Sequence, residues 1–153
     1  MSESSDYMIY QTSNKLGFEV DVLSEILDKV ELTSSYYYRT SFTGDWGMKL
    51  PQEDNVAFFH VVTHGEFWFE VPKLKIKGLA EQGDILILFN GMEHTMTSGP
   101  KVKTELAVDF RSKAHLTSSQ VLEYGDHSKL KANVVCGHFC FNRWPDHPFL
   151  NSM

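Results

Sequence analysis

Cysteine is scarce in this chain: of 153 residues only Cys136 and Cys140 carry thiols. On one strand their Cα atoms would lie roughly 13 Å apart, at about 3.3 Å per residue. That is too far for a disulfide, so a disulfide-stapled scaffold is excluded and two reduced thiols are expected. No apolar run is long enough to cross a bilayer as a helix. The start, Met1-Ser2-Glu3-Ser4-Ser5-Asp6, is polar and acidic and lacks the apolar core of a signal peptide. A cytoplasmic location is therefore expected. Basic charge is also in deficit, with 14 Lys and Arg against 20 Asp and Glu and a net charge of -6. Such a surface repels phosphate backbones, which argues against direct nucleic-acid binding by this chain. There is no phosphate-cradling glycine loop, no nucleophile elbow and no closely spaced cysteine pair of a zinc ribbon.

Aromatic residues, by contrast, are abundant at 13%. Many stand in runs with β-favouring neighbours: Tyr36-Tyr37-Tyr38, Phe58-Phe59, Phe67-Trp68-Phe69, Phe139 and Phe141. This predicts an all-β fold, and the length suits one domain with a sizeable core. Residues 1–16 read as a flexible lead and 17–153 as the domain. Asp21 is a good N-cap, and Val22, Leu23, Ile26, Leu27 and Val30 have helical spacing, so a short amphipathic helix is expected over Val22–Val30.

From Ser35 onward the signals are strands: Ser35–Phe42, Gly47–Leu50, Val56–Thr63, Glu66–Val71, Leu74–Lys77, Asp84–Phe89, His94–Thr97, Leu106–Phe110 and Val134–Phe141. Glycine-bearing turns separate them, His64-Gly65 included. Lys73, Lys75 and Lys77 alternate, which reads as one solvated strand face at a charged edge. Residues 111 to about 131 are polar and read as a long loop, either a lid or a plain surface excursion.

One segment is richer than the rest. Gly83-Asp84 opens an apolar run, Ile85 to Phe89, and Asn90-Gly91 turns the chain again before His94. Gly83, the five residues after it, position 89, Gly91 and His94 resemble the second motif of the cupins, with Phe89 in place of the usual proline and Ser98 where asparagine is usual. The order of further elements extends the likeness: an Asp-Val-Leu-Ser helix, Trp46-Gly47, Phe59-His60-Val61-Val62-Thr63-His64-Gly65, Gly83-Asp84, His94, Val135-Cys136-Gly137-His138-Phe139 and His147-Pro148-Phe149-Leu150. Together they resemble the cupin-type N-terminal domain of AraC-family transcription regulators, from about residue 21 to the end. The resemblance implies a cupin double-stranded β-helix, or jelly roll, that senses a small-molecule effector. It further implies DNA contact only through a helix-turn-helix domain outside this chain, and a possible homodimer.

The resemblance also locates candidate chemistry. The first-motif His-x-His of metal-binding cupins falls near Pro51 to Asp54, where no histidine stands, and its glutamate position falls at Phe58. The standard metal site is therefore not expected, which argues against cupin dioxygenase or isomerase chemistry. Another trio remains. His60 shares a strand face with Phe58, His94 keeps the second motif's ligand position, and Cys136 lies in the last strand. Two imidazoles and a thiolate suit Zn²⁺ with a fourth place open; core packing of a hydrogen-bonded histidine and a buried thiol is the simpler alternative. If a thiol is the sensing group, Cys136 is the better candidate. Trp46, Phe58, Phe89 and His138 are candidates to line a ligand cavity. The expected function is effector sensing without intrinsic catalysis. The alternatives are a metal-dependent cupin enzyme on a small polar substrate and a purely structural dimerisation module.

Overall fold

A computed structural model describes residues 7–10, 32–107, 115–116 and 121–141, with side chains for 37–107 and 121–141. The expected helix over Val22–Val30 lies outside them, as does the region around His147. Among the described residues the regular structure is strand, apart from two short 3₁₀ turns and the helical Ala107. The strands are β1 (Tyr7–Tyr10), β2 (Leu32–Thr43), β3 (Gly47–Leu50), β4 (Val56–Val71), β5 (Ile76–Glu81), β6 (Ile85–Leu88), β7 (His94–Thr97), β8 (Glu105–Leu106), β9 (His115–Leu116), β10 (Val121–Gly125) and β11 (Leu130–Phe141). Tyr7–Tyr10, within the segment read as a lead, thus forms a strand.

The long strand β4 organises the fold. Its first part, through Gly65, pairs with β11 and β6, while residues from Glu66 onward pair with β5 and β7. Two sheets share it. One runs β9-β10-β2-β11-β4-β6-β1 and the other β8-β3-β7-β4-β5. Buried side chains alternate along β4 as Phe58, His60 and Val62, then resume at Phe67, Phe69 and Val71. The switch from even to odd positions marks a bulge: Asn133 opposes His64 while Val134 opposes Val62, so Thr63 is left without an opposite residue. The bulge lets one strand serve both sheets while keeping its apolar side chains inside.

Gly65 was expected to reverse the chain and does not. It sits within β4 at φ 74, and a Cβ there would lie 1.9 Å from the Lys131 carbonyl oxygen. It serves the close approach of β11 rather than a hairpin. The lysine alternation also reads differently in three dimensions. Pro72–Leu74 form a 3₁₀ turn, Lys75 takes a left-handed conformation at φ 56, and the strand begins at Ile76. The polar region read as a loop contains β10, held parallel to β2 from Val121 opposite Arg39 to Gly125 opposite Thr43.

The core lies between the sheets. Phe42, Met48, Phe67, Leu86, Leu88, Met92, Met96 and Val134 are buried there. Trp46 stacks on Phe42 with ring centroids 3.7 Å apart and planes inclined by 15°.

Candidate ligand cavity and the buried histidine pair

The Gly83–His94 segment acts as its glycines dictate. Asp84 folds its carboxylate back to accept the Glu81 backbone N–H at 2.9 Å and starts β6. Leu86 and Leu88 are buried on the inner face; Ile85 and Ile87 are half-buried on the outer one, and β6 runs between β4 and β1. Asn90 and Gly91 then both take left-handed conformations, at φ 56 and 55. At Gly91 a Cβ would fall 1.7 Å from the Glu53 carbonyl oxygen. Only glycine admits that approach, and the Glu53 N–H donates to the Gly91 carbonyl at 2.9 Å. The turn thereby fixes both the loop after β3 and the entry of His94 into the interior.

His94 is fully buried at the start of β7, and His60 is buried in the middle of β4. They meet across the space between the sheets, with their Nε2 atoms 2.8 Å apart. The His94 Nδ1 lies 2.8 Å from the Met92 carbonyl oxygen. A carbonyl only accepts, so Nδ1 of His94 carries the proton. Burial holds the His94 pKa down to about 4, with the Met92 hydrogen bond and the Glu93 charge opposing it. Its Nε2 is therefore a bare acceptor near neutral pH. His60 must then donate through Nε2–H. Burial and the neighbouring His94 hold His60 well below the ordinary imidazole range, so it too stays neutral. Its Nδ1 is left as a lone pair, and among the described residues it has no hydrogen-bond partner.

A cavity of about 180 Å³ opens beside this pair. Tyr38 from β2, Phe58 and His60 from β4, and Cys136 and His138 from β11 border it, and Glu53 stands at its rim. His138 opposes Phe58 across the strands and packs edge-on against it, with centroids 6.2 Å apart. Two of the expected cavity residues, Phe58 and His138, are therefore at the cavity. The other two are not among its lining residues: Trp46 is stacked in the core on Phe42, and Phe89 lies in the turn after β6. Tyr38 and Glu53 were not foreseen. Glu53 sits in an exposed polar loop, and only its contact with the Gly91 turn brings it to the cavity mouth.

The trio His60, His94 and Cys136 is brought together in part. Cys136 is buried directly opposite His60 in the β4–β11 register. Among the described residues, however, no group of three or more His, Cys, Asp and Glu side chains is arranged to hold a metal ion. Two imidazoles on a tetrahedral zinc stand about 3.3 Å apart at ordinary Zn–N lengths, whereas these nitrogens are at hydrogen-bond distance. Burial pushes the Cys136 thiol far above its usual range, so it stays protonated and weakly reactive. The residues as placed fit a hydrogen-bonded pair and a packed thiol, not a zinc ligand set.

A family model described as Cupin matches residues 21–153. The chain belongs to the cupin family, and its curled, mostly β architecture agrees with that membership. No curated protein matches it. Among solved structures it is similar to the dTDP-6-deoxy-D-glucose-3,5-epimerase RmlC from Legionella pneumophila Philadelphia 1, in complex with dTDP-4-keto-L-rhamnose. The identity is 11% and the TM-score 0.38, and the match covers 94% of this chain and 66% of the epimerase chain, just under two thirds of its length. No helix among the described residues is long and apolar enough to cross a membrane.

Proposed function

We propose that this cupin domain is the effector-sensing part of an AraC-type transcription regulator and has no catalysis of its own. The observation that carries this reading is the cavity. It joins both sheets and the loop after β3, and its walls are apolar and aromatic with few polar groups, as small-molecule sites are. An occupant touching Tyr38, Phe58 and His138 together with Pro51 and Glu53 would favour one arrangement of loop against sheet. A ligand that binds one arrangement better shifts the population toward it, and a partner domain reads the shift. The order of motifs along the chain supports the regulator assignment. The metal-dependent enzyme alternative draws no support from the donor set among the described residues, where no group of three or more His, Cys, Asp and Glu side chains is gathered.

The test is a thermal-unfolding screen of small molecules, followed by recovery of each binder after prolonged incubation. The reading expects at least one compound to raise the unfolding temperature and to be recovered unchanged. A compound converted to product, with loss of turnover on disrupting the cavity, would contradict it.

A further inference from the structure

Phe58 belongs both to the cavity wall and to the packing around the histidine pair. It lies on β4, opposite His138 of β11 on one side and Leu88 of β6 on the other. Its ring packs against His94 at the start of β7, in the other sheet, with ring centroids 5.3 Å apart and planes inclined by 60°. Its contact with His138 is edge-on, at 6.2 Å. Phe58 and His138 line the cavity, whereas His94 is not among the lining residues and is fully buried. One ring therefore borders the cavity and touches His94 as well. Phe58 is 5% exposed, so packing holds that ring in place.

The cavity volume turns this contact into a limit. An apolar cavity of roughly 150 Å³ holds one benzene ring, and this one measures about 180 Å³. A second fused ring would have to protrude from the mouth, and surface left in water contributes nothing to binding. Nor does a close-packed wall yield easily to a larger occupant. Truncating Phe58 removes that wall. The surrounding structure relaxes only partly around a deleted side chain, so the vacated space adds to the cavity and extends it to His94.

We infer that Phe58 sets the size limit of this cavity and restricts its occupant to a compact, single-ring molecule. This deepens the sensing proposal and rests on it, since it names the size class of effector for the same cavity.

The experiment compares phenol with 2-naphthol, which share a hydroxyl and differ by one fused ring, on the unaltered chain and on Phe58→Ala. Isothermal titration at pH 7.5 gives the affinities, and nuclear Overhauser contacts report where each probe sits. The unaltered chain should bind phenol more tightly than 2-naphthol, although 2-naphthol has more apolar surface to bury. In Phe58→Ala the affinity of 2-naphthol relative to phenol should rise at least about tenfold. Bound 2-naphthol should there contact the His94 ring, which phenol does not reach in the unaltered chain. Circular dichroism checks that the variant is folded; if it is not, Phe58→Leu decides, with an expected rise of about threefold. An unchanged ratio in a folded variant, or tighter binding of 2-naphthol than of phenol by the unaltered chain, would overturn the size limit and leave the cavity as a ligand site. Failure of phenol to saturate the unaltered chain would overturn the size class and the cavity-based sensing reading together.

Discussion

His60 and His94 are separated by 34 positions in sequence and joined by one hydrogen bond of 2.8 Å inside the protein. Neither ring has room for a charge. The pair is a polar centre in a mostly apolar interior, and most of the testable consequences begin there.

Stability should fall with pH sooner than carboxylate titration alone would cause. In the unfolded chain both rings protonate as pH drops through 6.5, while folded His94 holds out to about 4 and His60 is lowered as well. The unfolded state therefore binds more protons in this window, and stability is fully present above pH 6.5 and lost below it. Each ring contributes a slope of about 1.4 kcal/mol per pH unit, and His94 alone amounts to about 3 kcal/mol by pH 4. Urea denaturation between pH 7.5 and 5 should show the loss, and a His60→Leu/His94→Leu variant should show much less of it.

The two substitutions should not add. His60→Leu alone leaves the His94 Nε2 without a donor; His94→Leu alone strands the His60 Nε2–H and the Met92 carbonyl. Each single change is expected to cost about 1–3 kcal/mol at pH 7.5. The double change removes both partners, so its cost should fall short of the sum by more than about 1 kcal/mol. A strictly additive cycle in urea denaturation would contradict the pairing.

Gly91 and Gly99 make a matched comparison. Alanine at Gly91 meets the Glu53 carbonyl and must hold a positive φ, whereas alanine at Gly99 meets only a Val102 methyl at 3.6 Å. Gly91→Ala should cost at least about 2 kcal/mol and disturb the cavity rim. Gly99→Ala should stay within about 0.5 kcal/mol. Thermal denaturation of the two variants checks this directly.

Cys136 should be inert in the folded protein. It is 1% exposed and its thiol is held protonated by burial. In a Cys140→Ser background, a thiol reagent at pH 8 should label nothing until denaturant is added. Rapid labelling of the native protein would show an accessible Cys136 and revive a thiol-sensing role.

Much of this was legible along the chain, where the signal was local. β3 and β7 begin and end where turn residues and alternation place them, and β6 lies within its expected span. The parity of Phe58 and His60 put His60 on the inner face. What escaped was non-local. Gly65 carries a turn signal, but its role is set by Lys131, 66 positions away. The lysines at 73, 75 and 77 mimic a strand, yet Pro72 starts a turn and Lys75 closes it. β10 lies in a polar stretch, and only its parallel partner β2 makes it a strand. Glu53 has the composition of plain surface and reaches the cavity through the Gly91 contact. The zinc trio was plausible by residue type, but strand register and hydrogen bonding decide geometry that composition does not encode.

The central claim is a neutral histidine relay ending in a buried acceptor that has no partner among the described residues. The most direct test is a ¹⁵N-resolved pH titration of the two rings in the ligand-free protein. The account predicts that His94 stays neutral down to pH 5 and that His60 protonates well below the ordinary imidazole range, with the proton on Nδ1 in His94 and on Nε2 in His60. Titration of either ring near pH 6.5, or a proton on Nδ1 of His60, would contradict it.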